Sequence, residues 1–383
     1  MYNLFVKQNF KKIIILLSII IFCILKISLT FFDTNGFSFA DWLINYQEGG
    51  FTRRGLLGTI AVFLFQNFGI KLQYSVFFFQ FITHFLFFYF LYKILFLKQI
   101  NLVDIAFLFS PLFLWVFFSD VATGARKDGV LWFLYVFFLY LLLKDKFSGL
   151  YKIAFYFLAF TSVFIHESFI FFIPYFVMAL YLYKRISLTE VIVMFMVFNI
   201  PAAIIFLKGV GVEIGHDKTL EWIKQSGIVL QKENIFAWKE DEGLIKTKMV
   251  SKHWRNLLLY FVPITLQMFY MYFYIRIKEI KIDIKKIFFL FLICFLYTLP
   301  LFIIAIDWGR WIYTNFLLMS LLLVTFLPLK NGERSLFKNL KTRDYIFVGL
   351  MLLASFTYRM PMFFIGVKMG LPLRFFLSFI NVQ

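Results

Sequence analysis

Hydrophobic residues form long runs along the whole chain, separated by short polar segments. The runs are about 15–25 residues long, close to the roughly 20 residues that a helix needs to cross the bilayer hydrocarbon. Backbone polar groups cannot stay unsatisfied in lipid, so runs of this kind are expected to be helices. The pattern predicts spans at 13–32, 73–92, 102–118, 129–143, 153–165, 168–183, 188–207, 257–275, 287–306, 311–328 and 344–358, and a further one near 361–380.

Lysine and arginine are concentrated in the linkers between particular runs, and this sets the predicted orientation. By the positive-inside rule such linkers lie in the cytoplasm. With a cytoplasmic N-terminus, the pattern holds only if residues 33–71 form one external loop, in which 55–70 is an interfacial or re-entrant helix rather than a span. Residues 208–256 then form a second, long external loop with an amphipathic helix at 219–230.

The predicted fold class is therefore all-α: a polytopic transmembrane helical bundle of about 11 or 12 spans, forming a single integral membrane domain over residues 1–383. The chain is 62% hydrophobic and 16% charged, whereas a soluble domain is about half apolar. The net charge of +18 is attributed to linkers facing anionic lipid. Nucleic-acid binding is not expected, because no separate soluble domain carries a basic face.

Five hydrophilic segments interrupt the apolar pattern, and all of them fall on the predicted external side. They are residues 33–54, 120–128, 166–167, 209–255 and 307–310. Polar loops that converge on one face of a helical bundle are expected of an enzyme that works at the membrane surface.

The first polar segment carries Asp41 among its carboxylates and ends with Arg53 and Arg54 ahead of a helix. The planar fork of arginine matches phosphate oxygens in two-point contact, and a helix start adds backbone N–H groups that favour an anion. The alternative is that both arginines anchor to lipid headgroups.

The second and third polar segments bring further ionisable residues. Asp120 precedes Gly124, and Arg126 and Lys127 lie between Gly124 and Gly129. His166 and Glu167 lie in an apolar setting, where a charged pair is costly. A structural histidine is the alternative for His166.

The last polar segment contains Asp307, Trp308, Arg310 and Trp311. Asp307 and Arg310 are three residues apart, which places them on one helix face. Arg310 could bind an anion while the tryptophans and Asp307 contact a sugar. Alternatively, Asp307 and Arg310 pair with each other and the tryptophans anchor at the interface.

No nucleotide-binding or common hydrolase motif occurs in the sequence, including a Walker A loop, G-x-G-x-x-G, H-E-x-x-H and G-x-S-x-G. An activated lipid substrate would remove the need for a nucleotide. No cofactor is therefore expected, although a divalent metal stays open. Cys23 and Cys294 are too few for a disulfide framework or a cysteine metal cluster.

The plan of external carboxylates, external arginines and a first loop reading DWLINYQEGGFTRRGLLG resembles the polytopic bacterial polysaccharide polymerases. These include the O-antigen and capsule polymerases and the EpsG-like proteins. More broadly, the plan resembles the GT-C glycosyltransferases that use polyprenyl-phosphate donors. The adjacent acidic pair often seen in the first loop of that superfamily is missing here, which puts a metal site in doubt.

The resemblance implies a glycosyltransferase that joins polyprenyl-diphosphate-linked repeat units at the outer face of the bacterial cytoplasmic membrane. It gives the base role to Asp41, with Asp33 in reserve and Asp120, His166 and Glu167 as further catalytic candidates. Diphosphate binding is expected from Arg53, Arg54, Arg126, Lys127 and Arg310. The expected partners are the lipid-linked oligosaccharide, the bilayer, and a chain-length regulator or other polysaccharide-assembly proteins.

Two other functions stay open. A flippase or transporter for lipid-linked sugars would bind its cargo near the bilayer midplane on polar or broken helices, and the interiors of the predicted spans carry almost no charge apart from Lys26. A membrane O-acyltransferase for surface glycans would need a histidine at its site, which could be His166.

Overall fold

The computed structural model describes residues 16–28, 37–49, 54–119, 125–209, 217–230, 257–280, 282–304, 307–329, 340–359 and 368–369. Within these residues the chain is helical, which confirms the all-α class, apart from two antiparallel strands of two residues each, β1 (Tyr358–Arg359) and β2 (Lys368–Met369).

The helices of the first half begin with a span-like segment and three helices of the predicted first loop. They are α1 (Leu16–Ser28), α2 (Phe37–Asp41), α3 (Tyr46–Gly49), α4 (Leu56–Phe68), α5 (Leu72–Leu97), α6 (Leu102–Leu108), α7 (Val116–Ser119), α8 (Asp128–Leu143) and α9 (Gly149–Ile165).

A 3-10 helix at Glu167–Phe172 leads into the second half. Its helices are α10 (Ile173–Leu182), α11 (Leu188–Gly209), α12 (Asp217–Gln225), α13 (Leu257–Ile277), α14 (Ile284–Tyr297), α15 (Leu299–Ile304), α16 (Trp308–Thr325) and α17 (Thr342–Thr357).

Two helices in the described chain are long and apolar enough to cross a membrane: α5, and the Leu188–Lys208 part of α11. The segments Leu16–Ser28, Leu56–Phe68, Asp128–Leu143, Gly149–Ile165 and Glu167–Leu182 are apolar but shorter, at 10–17 residues. The helix predicted at 55–70 is present as α4. The amphipathic helix predicted at 219–230 is present in part, because α12 ends at Gln225. The polytopic bundle stays a prediction.

Two predicted spans are interrupted. The continuous helix predicted over 102–118 is wrong, because α6 ends at Leu108 and the chain runs through turns until α7 begins at Val116. Pro111 lies in this break and has no N–H to continue a helix. The span predicted over 287–306 divides at Thr298, two residues before Pro300.

Contacts divide the chain into two compact units, each built from separate stretches of sequence. Unit 1 comprises residues 1–93, 124–170 and 192–238, and unit 2 comprises residues 94–123, 171–191 and 239–383. The single integral membrane domain expected over residues 1–383 stays a prediction.

In unit 1, helix α4 packs directly against the backbone that links α2 to α3. The approach is so close that a Cβ built on Gly58 would lie 1.9 Å from the carbonyl oxygen of Ile44. Trp42 is fully buried beside this crossing and stacks on Phe79 of α5. Glycine at 58 therefore sets how near the first-loop helices come to each other.

In unit 2, helix α16 is buried from Gly309 to Thr325, and two of its polar side chains bond to other segments of the unit. Tyr175 donates to the Asn315 side chain at 2.6 Å, and Tyr313 donates to the Phe113 carbonyl at 2.7 Å. Elsewhere in the unit, the buried Asp104 carboxylate accepts from Tyr274 and from Lys278, each at 2.7 Å.

Replacing Gly58 with alanine should destabilise the protein by about 2–3 kcal/mol, near the top of the range for overpacking, because the added methyl group meets backbone rather than a side chain that can move. Thermal unfolding in one detergent measures the loss. Gly349→Ala is the matched control, since nothing lies within 4 Å of its Cβ position in α17 and helix propensity favours alanine by about 1 kcal/mol. Equal melting temperatures for the two variants would contradict the close approach.

Candidate functional site

Arg54 is the centre of a group of ionisable side chains in unit 1. Its Nη1 lies 3.1 Å from Oδ1 of Asp41, and its Nη2 lies 3.2 Å from Oε1 of Glu167. One guanidinium thus links the first-loop helix α2 to the turn after α9, which are more than a hundred residues apart in sequence.

The balance of charges around Arg54 favours its charged form. Burial opposes the charge, but Glu167 and Asp41 outweigh burial, and Asp128 adds to them, so the pKa of the guanidinium is raised. The backbone of Arg54 has a φ of +20°, a conformation that non-glycine residues rarely adopt and that surrounding contacts must hold. The two ion pairs supply such contacts.

Lys127 approaches the same residue from the turn before α8. Its side chain is fully buried, and Nζ donates to the Arg54 carbonyl oxygen at 2.7 Å. Burial lowers the pKa of Lys127 to about 8; Asp41 and Glu167 act against this shift, and Arg54 adds to it. Arg126 precedes Lys127 in this turn and is also buried.

His166 completes the group. Its Nε2 lies 3.5 Å from Arg54 Nη1, while its Nδ1 accepts from the Ser168 N–H at 3.3 Å and lies 2.8 Å from Ser168 Oγ. We name Asp41, Arg54, Lys127, His166 and Glu167 the charged cluster.

Hydrogen bonds to main-chain carbonyls hold the segments that carry the cluster. The Ala125 carbonyl, two residues before Lys127, accepts from Trp42 Nε1 at 2.9 Å and from Gln80 Nε2 at 3.2 Å. The Phe164 carbonyl, two residues before His166, accepts from the Tyr46 hydroxyl at 2.9 Å. Trp42 and Tyr46 of the first loop thus form hydrogen bonds beside Lys127 and beside His166.

Glu167 has the most exposed side chain of the charged cluster, although its Oε2 atom is buried. The Glu167 side chain is 30% exposed and that of Arg54 16%, whereas that of Asp41 is 3% exposed. A molecule that approaches the cluster would therefore meet Glu167 and the edge of Arg54 before it could reach Asp41.

The residues predicted from the sequence divide into three groups: those in the charged cluster, those outside the described residues, and those around Arg310. Asp41, Arg54, Lys127, His166 and Glu167 come together in the charged cluster, although Arg54, predicted to bind diphosphate, contacts two carboxylates. Asp33, Arg53 and Asp120 lie outside the described residues.

The residues predicted around Arg310 lie in unit 2. Arg310 Nη1 contacts Asp307 Oδ2 at 2.7 Å, so the pairing considered from the sequence is present. The Arg310 guanidinium also lies 4.1 Å from the ring centroid of Trp311 and covers one face of that buried ring. Trp308 is only half-buried and is the more accessible of the two tryptophans.

Sequence reasoning missed the residues that position the cluster: Trp42, Tyr46, Gln80 and Ser168. Their signal in the sequence was weak. Each is a polar or amphipathic residue within an apolar stretch, and buried polar groups of this kind need hydrogen-bond partners. Nothing in the spacing indicated that the partners would be the main-chain carbonyls of Ala125 and Phe164.

Among the residues that the structure describes, no group of three or more His, Cys, Asp or Glu side chains is arranged to hold a metal ion.

The chain matches no protein-family model, no curated protein and no solved structure. Functional inference therefore depends on the cluster itself.

Raising the pH should stabilise the wild type relative to a Lys127→Met variant between about pH 8 and 10.5, the ordinary pKa of a lysine side chain. In that window the folded chain holds fewer protons than the unfolded chain, because burial lowers the pKa of Lys127, so the free energy of unfolding rises with pH. Melting temperatures across the window measure the difference, with the exposed Lys224→Met as the matched control. A difference that stays flat would show that Lys127 is not desolvated.

Proposed function

We propose that the chain is a membrane-embedded glycosyltransferase of the polysaccharide-polymerase type, acting on polyprenyl-diphosphate-linked glycans at the outer face of the cytoplasmic membrane. The observation that carries this proposal is the charged cluster, in which three separate polar segments contribute carboxylates and cations to one place. Perturbed ionisable groups that converge in this way are typical of functional sites.

The chemistry of glycosyl transfer fits the two kinds of charge in the cluster. A carboxylate removes the proton from the attacking sugar hydroxyl, and cations stabilise the diphosphate that leaves. The proposal gives the base role to Glu167, since its side chain is the more exposed carboxylate, and makes Asp41 the partner that holds Arg54.

Arg54 and Lys127 are the proposed contacts for the leaving diphosphate. A dianion near Lys127 would favour its ammonium form and offset the cost of burying the charge. Arg54 already contacts the proposed base through Nη2, so one guanidinium could contact both the base and the leaving group. Arg126 is a further candidate for diphosphate binding, because it directly precedes Lys127.

Exposed apolar side chains support the membrane placement. Large aliphatic and aromatic residues are more than 60% exposed on several helices, including Phe157, Leu188, Phe206, Leu207 and Ile303. Soluble monomers rarely expose extended apolar surface, whereas lipid covers it without cost. Together with the two helices of spanning length, these residues support a polytopic bundle.

Glu167→Gln should abolish polymer formation, because the amide cannot accept the hydroxyl proton. The loss of a general base typically costs about 10²–10⁴-fold, so long chains should vanish from a polysaccharide gel while single lipid-linked repeat units accumulate. The assay uses a strain that lacks the chromosomal gene and carries the variant at wild-type protein level.

Two further variants make this test specific. Glu221→Gln changes an exposed carboxylate on α12 and should leave the gel pattern unchanged. Both Asp41→Asn and Glu167→Gln should lower the melting temperature, since each leaves Arg54 with one carboxylate fewer, whereas Asp41→Asn should reduce the polymer yield only in part. Long chains in Glu167→Gln, with none in Asp41→Asn, would return the base role to Asp41.

Acyl transfer is a second candidate, favoured by the 2.8 Å contact between Ser168 Oγ and His166 Nδ1. This is the geometry of a nucleophile and its base. However, a catalytic histidine is normally oriented by a carboxylate at its other ring nitrogen, and Nε2 of His166 faces Arg54 instead. Glycosyl transfer therefore accounts for more of the cluster.

Ser168→Ala separates the two candidates. In a glycosyltransferase the variant should keep most of the polymer, because Ser168 only orients His166. In an acyltransferase it should remove the surface ester groups completely, which mass spectrometry of the released glycan would detect as a loss of acyl mass. Loss of acylation with normal chain length would replace the polymerase proposal.

A further inference from the structure

Unit 1 contains a cavity of about 170 Å³ between helices α4, α5, α8 and α9. Its walls include Leu57, Phe79, Val130 and Ile165. A space of this size is similar to the engineered cavity of about 150 Å³ that stays dry and takes up benzene. It could therefore hold a short apolar segment, but not a lipid headgroup.

The few hydroxyl groups in the walls do not make the cavity polar. Thr83 Oγ1 donates to the Phe79 carbonyl at 2.7 Å, and Ser162 Oγ donates to the Ala159 carbonyl at 2.7 Å. Thr161 likewise donates to a carbonyl of its own helix. Water needs two to four polar partners to occupy a cavity, so these walls favour a hydrocarbon.

The cavity lies close to the charged cluster along the chain. Leu57 follows Arg54 by three residues, Val130 follows Lys127 by three, and Ile165 immediately precedes His166. The three helix ends that carry the cluster therefore also supply walls of the cavity, and whatever fills the cavity supports their spacing.

Exposed aromatic residues lie next to the walls in sequence. Phe78 precedes Phe79 and is 58% exposed, and Phe157 precedes Leu158 and is 66% exposed. In the proposed membrane, acyl chains would surround these side chains at a far higher concentration than any lipid-linked glycan, and occupancy follows concentration.

We propose that this cavity binds the terminal segment of a phospholipid acyl chain, and that the bound chain supports the helix ends that carry the charged cluster. The proposal rests on the membrane placement given above, but not on the reaction. It assigns Leu57, Phe79, Thr83, Val130, Ser162 and Ile165 to lipid binding.

Photo-crosslinking tests the site directly. The full-length protein is reconstituted in phospholipid vesicles that contain a phospholipid with a diazirine at the end of one acyl chain, and labelled residues are mapped by mass spectrometry. Labelling is expected at Leu158 and Ile165 as well as at the exposed Phe157.

Variants that fill the cavity test whether the labelling comes from an acyl chain inside it. Ser162→Leu should abolish labelling at Leu158 and Ile165 while leaving that at Phe157 unchanged, and Thr83→Leu should do the same from α5 if Ser162→Leu does not fold. Ala203→Leu adds the same bulk at an exposed position of α11 and should leave the pattern as in the wild type.

Other labelling results would each refute a particular part of the proposal. Labelling at Phe157 without labelling at Leu158 or Ile165 in the wild type would refute the cavity site. A cavity labelled only by a polyprenyl phosphate with a terminal diazirine would show that its occupant is an isoprenoid tail, and would refute the acyl-chain assignment. If Phe157, Leu158 and Ile165 were all unlabelled, the membrane placement would be refuted. A Glu167→Gln variant that still makes polymer would refute the proposed reaction but not the lipid site in the cavity.

Discussion

A largely buried guanidinium must be met by negative charge, and this constraint applies to Arg54 at the centre of the charged cluster in unit 1. Arg54 reaches Asp41 and Glu167 with different nitrogens, so neither carboxylate can be lost without leaving charge poorly compensated in a medium of low dielectric. Because the carboxylates come from segments far apart in sequence, the ion pairs fix which parts of the chain meet.

The hydrogen bonds around the cluster act differently from its ion pairs. Ion pairs favour proximity but tolerate small displacements, whereas bonds from Trp42 and Tyr46 to main-chain carbonyls fix distance and direction. An aromatic side chain that is packed and also bonded has little freedom to rotate. The site therefore rests on rigid residues that need not touch a substrate, a property that preorganised sites require.

Most helices and the polar segments could be predicted from the sequence, because apolar runs and their interruptions are local signals. The break at Pro111 was missed, since the apolar composition continues through it. Asp41 and Arg54 were recognised as candidates, but their pairing was not, because no periodicity relates Arg54 to Glu167. Contacts between distant segments depend on tertiary packing, which a single sequence does not encode in its spacing.

Lys98, at the end of α5, has a consequence for how such chains acquire their topology. The sequence assigns it to a cytoplasmic linker, yet in the fold it is buried, with Nζ donating to the carbonyl oxygens of Thr325 and Leu327 at the end of α16. The ammonium group therefore satisfies carbonyls that the helix end leaves open. On the proposed membrane topology, the same charge would direct insertion while the chain is being made and would cap a helix once the chain has folded. Sorting signals and stabilising contacts need not be separate residues.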